Sequence, residues 1–376
     1  MRSHNALFAG LITVDIIHRV KSFPQANHKI QADEQEISAG GPATNAAVTY
    51  AALSRIAAQQ GVLLGQDTAA LDIGAPELQC AMGVSRQVAD KNNSPDVITP
   101  NSQGSTTSAT QCGQVQLYSA VGRGILAEAA RNDITIQGIE VIDCIPQRID
   151  AIPTSLVMVE SATGLRSVSG RNSVGHLDVQ SIEQRKQELE EAAVILVDGH
   201  YPEIAFQALT SSTAAVSPSA IKILDGGSWK PWLPTLLPFI DCAILSADFM
   251  PPIANTTDDL IDFLHGYGIN HIIHTQGHAP VRYWWNKEAG EVDIAPVDTV
   301  CTLGAGDVFH GAFAWWVSHN GFPESAYLCE KAIEWSSRIA GLSLQSFGTR
   351  RWLSDKSDEL KELVTQASRG ADGHCA

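Results

Sequence analysis

Short apolar runs recur along the chain and alternate with segments that have helical spacing. The runs have the length and continuity of buried strands: Leu7–Leu11, Gln116–Ala120, Ser155–Val159, Val194–Val197, Ile221–Leu224, Cys242–Leu245 and His271–His274. Helical spacing is clearest in Ala43–Leu53, Ile182–Ala192 and Leu260–His265. Strands that alternate with helices favour a largely parallel sheet covered on both faces, which is an α/β fold.

The remaining segments complete a single-domain prediction over residues 1–376. Ala305–Val317 is apolar on most sides, which indicates a buried helix, and Lys356–Gln366 reads as a final amphipathic helix before a loose tail at 367–376. From about 59 to 114 the chain is rich in Ser, Thr, Asn, Gln and Gly. That composition predicts a partly disordered surface insertion.

Charge and composition narrow the classes of partner. The formal net charge of −16 argues against nucleic acid or an anionic membrane as a partner, because both require a basic face. The seven cysteines are scattered and form no C-x-x-C pair, so no zinc or redox motif is visible. With neither an export signal nor a membrane-spanning run, the sequence predicts a cytoplasmic protein with reduced thiols.

The strongest chemical signal is a glycine turn that opens the predicted buried helix. It reads Thr302-Leu303-Gly304-Ala305-Gly306-Asp307, with an acid in the first helical turn. Glycines allow close approach of a ligand, and the helix start favours a phosphate, while Asp307 can take a proton from an attacking alcohol. The alternative makes Gly304–Gly306 a plain turn and Asp307 a helix cap, and spacing alone leaves both open.

A second glycine turn lies near the start of the chain. Gly40 and Gly41 precede a helix with Asn45 in its first turn, and Asp15 follows the first strand. An amide that donates and accepts, with a carboxylate nearby, suits recognition of a polyhydroxylated ligand. Taken singly, each of these features is more often ordinary turn chemistry.

In this order and at this separation, the two turns resemble the signatures of the ribokinase-like, or pfkB-type, carbohydrate kinase family. The resemblance implies a three-layer fold with a mostly parallel sheet and a small β-lid, here from about 14–37 and 153–171. It also implies an ATP-dependent sugar kinase that uses Mg²⁺ and that could form a homodimer through its lid.

The family's site residues carry over position by position. Asp307 matches the catalytic base, and Gly304, Ala305 and Gly306 match the anion hole. The positions that match sugar contacts are Asp15, Gly40, Gly41 and Asn45. The positions that match the nucleotide site are Thr275, Gly277, Ser336 and Gly348.

The chain departs from the family pattern at two functional positions. Cys301-Thr302 replaces an Asp-Thr pair that helps to hold a monovalent cation in some members, so that cation site is not expected here. Ser246-Ala247-Asp248 replaces an Asn-x-x-Glu element that organises magnesium. The resemblance leaves Asp248 as an oxygen ligand for Mg²⁺, acting through water.

Two readings of other classes compete with the kinase. Gly122-Arg123-Gly124-Ile125-Leu126-Ala127, with Glu140 downstream, matches a dinucleotide fingerprint and would indicate an NAD-dependent oxidoreductase. The second competing reading is a non-catalytic sugar sensor of the same fold. No G-x-x-x-x-G-K-[ST] sequence occurs, which excludes a P-loop kinase. Arg350-Arg351 is predicted to be a solvated pair.

Overall fold

The computed structural model describes residues 4–61, 113–171, 174–175, 177–178, 191–211 and 220–372. In chain order its strands are β1 (Ala6–Ala9), β2 (Thr13–Val20), β3 (Glu34–Gly40), β4 (Val115–Ser119), β5 (Ile139–Asp143), β6 (Thr154–Glu160), β7 (Arg166–Gly170), β8 (Val194–Val197), β9 (Ile221–Gly226), β10 (Cys242–Ser246), β11 (His271–Gln276), β12 (Ala279–Trp285) and β13 (Glu288–Val292). Its α-helices are α1 (Pro42–Gln59), α2 (Ile125–Ile136), α3 (Pro202–Ser211), α4 (Thr257–His265), α5 (Ala305–Asn320), α6 (Ala326–Ser343), α7 (Trp352–Asp355) and α8 (Ser357–Asp372).

The larger sheet has nine strands in the order β13-β12-β11-β10-β9-β8-β1-β4-β5. All neighbours from β11 to β5 are parallel, and β12 and β13 extend the sheet in antiparallel pairing. Its central strands are buried on both faces, as all four residues of Val194–Val197 show. Strands of that kind read as continuous apolar runs, which is why the sequence predicted them correctly.

Helices cover both faces of this sheet, and the predicted three-layer α/β fold is confirmed. Helices α1, α2, α5, α6 and α8 contribute to the core on one face, and α3 and α4 to the core on the other. The last helix continues past Gln366 to Asp372. Residues 62–112 of the predicted insertion, residues 182–190 of one predicted helix and residues 373–376 lie outside the described residues.

A second, four-stranded sheet has the order β3-β2-β6-β7 and comes from the segments expected to form the lid. One face carries Ile17, Val157 and Val159, which pack against Cys301 and Phe347. The second sheet is therefore held against the segment that leads into the glycine turn before α5. Within the described part of the chain, no helix is both long and apolar enough to cross a membrane.

Candidate active site

The glycine turn before α5 directs the start of a buried helix towards open space. Gly304 is the N-cap, with a φ of 77° that glycine adopts without strain. A Cβ built on Gly306 would meet no neighbouring atom. The first turn of a helix carries N–H groups without intrahelical partners, and the helix dipole favours an anion beside them. The turn therefore has the geometry to accept a phosphoryl group.

The carboxylate of Asp307 links this turn to the other glycine turn. Asn45 Nδ2 donates a hydrogen bond to Asp307 Oδ2 at 2.8 Å. Asp307 is partly exposed, and the space between the two glycine turns is called the cleft below. Burial against the protein, and next the charge of Asp225, raise the pKa of Asp307 to about 7, while the Asn45 hydrogen bond, His310 and Arg166 oppose the rise. A carboxyl group of this pKa can accept a proton near neutral pH.

Arg350 fixes the orientation of Asn45. Its Nη1 donates to Asn45 Oδ1 at 3.0 Å, so the amide N–H₂ of Asn45 faces Asp307. The same guanidinium donates to the backbone oxygen of Ala39 and lies 3.3 Å from the Asp133 carboxylate. The prediction of a solvated pair is wrong for Arg350, because this side chain joins α1, α2 and β3. Nothing local in the sequence indicated contacts across some three hundred residues.

The acidic side of the cleft is formed where β2 and β3 meet the start of α1. Asp15 is 6% exposed, and its Oδ1 accepts a hydrogen bond from Thr13 Oγ1 at 2.6 Å. Burial raises the pKa of Asp15. A Cβ on Gly40 would overlap the Asp15 carboxylate, and one on Gly41, where φ is 101°, would overlap the backbone oxygen of Leu11. Both positions therefore require glycine.

Three of the positions matched to the nucleotide and metal lie together at the carboxyl edge of β10 and β11. Thr275 pairs with Ser246, and its Oγ1 donates to the backbone oxygen of Leu245 at 3.1 Å. Gly277 forms the following turn with a φ of 64°, and a Cβ there would meet open space. Asp248 is exposed, and its N–H donates to Ser246 Oγ.

The other two positions lie elsewhere. Gly348, with a φ of 80°, packs against the Glu36 carboxylate and lines a small cavity with Asn45 and Gly304. Ser336 is completely buried in α6, and its hydroxyl finds no hydrogen-bond partner among the described residues. The structure thus brings Gly348 to the side of the cleft that holds Asn45 and Gly304, and Ser336 presents no surface to a ligand.

Comparison with known proteins identifies the family of this chain. The model of the pfkB family carbohydrate kinases matches residues 105–356. The chain belongs to this family. Its activity is accordingly that of a carbohydrate kinase, a phosphotransferase that acts on an alcohol group. A search of curated proteins found no match.

Solved structures of sugar kinases share the fold of this kinase at low identity. A ribokinase from Giardia lamblia is 16% identical, with a TM-score of 0.66 over 98% of this chain and 100% of that one. A putative ribokinase from Agrobacterium tumefaciens is 19% identical, with a TM-score of 0.63 over 97% and 99%. A fructokinase with bound ATP from Xylella fastidiosa is 15% identical, with a TM-score of 0.62 over 97% and 99%.

The residues that the kinase offers to a divalent metal are few. No group of three or more His, Cys, Asp or Glu side chains in the described ranges is arranged to hold a metal ion. Magnesium in phosphoryl-transfer sites needs only one or two carboxylates besides the substrate phosphates and water. The exposed Asp248 fits that role. Cys301 is buried in the apolar contact with the second sheet and supplies no carboxylate.

Near Asp307, the kinase has a buried pair that the sequence did not indicate. Asp225 is the last residue but one of β9 and is 3% exposed, and its Oδ1 lies 3.5 Å from His310 Nε2. His310 Nδ1 lies 2.6 Å from the backbone oxygen of Gly306. Asp225 Oδ2 has no hydrogen-bond partner among the described residues. An acid at the carboxyl end of a buried strand was the available signal, because ligands of such sheets bind at that edge.

The turn proposed to bind a dinucleotide is occupied by the protein itself. Asp143 at the end of β5 accepts hydrogen bonds from the N–H groups of Val121 and Gly122 at 2.9 and 3.0 Å, and it pairs with Arg131. Glu140 lies at the opposite end of β5 and binds the side chains of Gln114 and Gln116. The family match supports the kinase over the oxidoreductase alternative, and the N–H of Gly122 at the start of that glycine turn is already occupied by Asp143.

Proposed function

We propose that this kinase transfers the γ-phosphoryl group of ATP to a sugar hydroxyl, with Asp307 as the catalytic base. The observation that supports this most directly is the 2.8 Å hydrogen bond between Asn45 and Asp307. It joins a polar corner suited to hydroxyl groups to a helix start suited to a phosphate. A carboxylate at that junction can reach both reacting groups.

The proposed reaction is a single displacement at phosphorus. The sugar hydroxyl loses its proton to the Asp307 carboxylate as its oxygen bonds to the γ-phosphorus, and the bond to the β-phosphate oxygen breaks to release ADP. Asp15, Gly40, Gly41 and Asn45 hold the sugar. The N–H groups of Gly304, Ala305 and Gly306 stabilise the negative charge that develops on the transferred group.

ATP and Mg²⁺ complete the proposal. The carboxyl edge at Thr275 and Gly277 is the place for the nucleotide, in keeping with the bound ATP named for the Xylella fastidiosa fructokinase. Gly348 lies on the other side of the cleft, and Ser336 is completely buried, so the proposal gives Ser336 no contact with the nucleotide. Magnesium, held through water by Asp248, would neutralise phosphate charge.

At the level of the whole chain, we propose one kinase unit over residues 1–376, with the second sheet as a lid over the sugar. The kinase would act in the cytoplasm and pair into a homodimer through that sheet. A sugar, ATP and a second copy of the chain are the partners, with no role for nucleic acid or membrane. Sugar-dependent release of ADP would exclude the sensor of the same fold.

The test compares Asp307→Asn with the unaltered protein in a coupled ADP assay. A panel of ketoses, aldoses, sugar acids and nucleosides first identifies the acceptor. General-base catalysis contributes about 10²–10⁴-fold, so kcat should fall by that factor while ATP binding and fold stay unchanged. Asp262→Asn, on the exposed face of α4, is the matched control. Retention of most activity by Asp307→Asn would show that the base is assigned wrongly.

A further inference from the structure

A basic residue of the second sheet lies at the glycine turn. Arg166 is the first residue of β7, and its Nη1 donates a hydrogen bond to the backbone oxygen of Thr302 at 2.9 Å. Thr302 Oγ1 is 3.5 Å from the backbone oxygen of Gly164, in the turn that joins β6 to β7. The β6–β7 turn therefore contacts Thr302, just before Gly304, and the guanidinium of Arg166 lies at the same place.

The charge of Arg166 acts on the catalytic cleft. It is close enough to Asp307 to lower the pKa of that carboxyl group, against the effect of burial. The side chain is exposed, and no carboxylate of the described residues pairs with it. One of its N–H groups binds Thr302, so other donors of the planar guanidinium remain for a ligand.

Two other arginines near the cleft, Arg350 and Arg19, already form ion pairs within the protein. Arg350 donates to Asn45 and to the backbone oxygen of Ala39, and it pairs with Asp133. Arg19, on the neighbouring strand β2, is held by Glu34 at 2.8 Å. Arg166 thus differs from both, because its guanidinium lies against Thr302 and forms no ion pair with an acid of the described residues.

Phosphoryl transfer creates a need for such a cation. Negative charge spreads over the oxygens of the group in flight, and a positive guanidinium beside them stabilises it. At the carboxyl edge of β10 and β11, the described residues offer the exposed Asp248 as a carboxylate for magnesium. We propose that Arg166 binds the transferred phosphoryl group and stabilises its charge in the transition state.

The proposal rests on the proposed function, because it requires the phosphoryl group to pass beside Gly304–Asp307. Arg166 forms and breaks no covalent bond. The acceptor proton still goes to Asp307, the acceptor oxygen bonds to phosphorus, and the departing ADP takes the electron pair of the broken bond. The guanidinium keeps its protons and contributes only charge and hydrogen bonds.

The experiment measures kcat, KM for the acceptor and KM for ATP in Arg166→Gln and Arg166→Lys. Loss of one preorganised donor at a developing charge costs about 10²–10³-fold in rate, so Arg166→Gln should lower kcat by that factor with little change in either KM. Arg166→Lys should recover part of the loss, because an ammonium keeps the charge but not the fork. Arg19→Gln, on the same sheet, is the control and should keep its activity.

A binding measurement separates this role from a structural one. Aluminium fluoride with ADP and acceptor mimics the phosphoryl group in flight. Arg166→Gln should bind ADP as before but bind this mimic more weakly by the factor lost in kcat. A rise in acceptor KM with unchanged kcat would mean that Arg166 recognises the acceptor. Equal losses in ADP and mimic binding, unrelieved by lysine, would mean that it only fastens the lid. Either result overturns the proposal.

The two proposals fail in different ways. If Asp307→Asn is inactive and Arg166→Gln is fully active, only the role of Arg166 is wrong. If Asp307→Asn is active, the proposed base is wrong whatever Arg166 does.

Discussion

The carboxyl group of Asp307 is held between opposing influences. Burial and the negative charge of Asp225 raise its pKa, while Asn45, His310 and Arg166 draw it down. These groups come from α1, β7, β9 and α5, so four elements set the protonation of one side chain. A base whose pKa lies near the working pH accepts a proton in the transition state yet can release it after turnover.

The pH dependence of kcat should report this balance. Asp307 accepts a proton only when ionised, so kcat should rise with pH through about 7 and then level off. Asp225→Asn removes the second cause of the raised pKa, and the acid limb of the profile should move to lower pH. Steady-state kcat measured from acid to alkaline pH, with saturating ATP and acceptor, provides the test.

The control for this prediction is Asp262→Asn, which removes an exposed charge on α4 and should leave the profile in place. An acid limb that stayed fixed in Asp225→Asn, or moved to higher pH, would contradict the assignment. The stability of the Asp225→Asn variant should be measured in parallel, because Asp225 is buried beside His310.

At the scale of helices and strands, Arg350 is the side chain that joins several elements around the cleft. It lies in the loop between α6 and α7, and it reaches α1 through Asn45, α2 through Asp133 and β3 through Ala39. These elements carry Gly40 and Asn45, two of the positions proposed to bind the sugar, and Asn45 is also the hydrogen-bond partner of Asp307. Their relative positions therefore depend on one guanidinium with little exposed surface.

Replacement of Arg350 should affect both stability and activity. Arg350→Met removes charged hydrogen bonds and leaves the Ala39 carbonyl without its donor, at a cost of about 2 kcal/mol in the free energy of unfolding. With Asn45 no longer oriented, kcat should fall and KM for the acceptor should rise. Denaturant unfolding and steady-state kinetics measure the two effects.

The adjacent Arg351 is a matched control for Arg350. Its side chain is 40% exposed and pairs with Glu34 and Glu36. The pair with Glu34 is partly exposed, and pairs of that kind contribute roughly 0–1 kcal/mol, whereas the Glu36 carboxylate is only 11% exposed. Arg351→Met should therefore lower the free energy of unfolding by less than Arg350→Met does, and it should keep its activity. Equal effects of the two replacements would argue against a special role for Arg350.

Much of the architecture could be predicted because its signals are local. Buried strands such as Val194–Val197 are continuous apolar runs. The glycine turns at Gly41 and Gly304 directly precede the helices that they cap. Arg350, Asp225 and His310 were missed because their roles come from contacts between distant segments. The glycine turn at Gly122 offered a competing reading for the same reason, since its partner Asp143 lies on another strand.

At the scale of the whole molecule, the outer face of the second sheet carries exposed apolar side chains on neighbouring strands. Ile37 and Leu156 are 55% and 57% exposed, and both pair directly with Ile16 on the strand between them. Residues paired across strands point to the same face. Clustered exposed apolar side chains commonly mark a protein interface, and β7 is an open edge beside them.

The proposed homodimer should therefore be sensitive to charge on this face. Light scattering should find a dimer for the unaltered protein and a monomer for Leu156→Glu, because a dimer contact would bury the new charges without partners. Ile136→Lys, at the exposed end of α2, should leave the dimer intact. Because the opposite face of this sheet packs on the segment before Gly304, loss of the dimer should raise KM for the sugar more than it lowers kcat. A monomeric unaltered protein at every concentration tested would remove the interface from the proposal and leave the cleft assignments untouched.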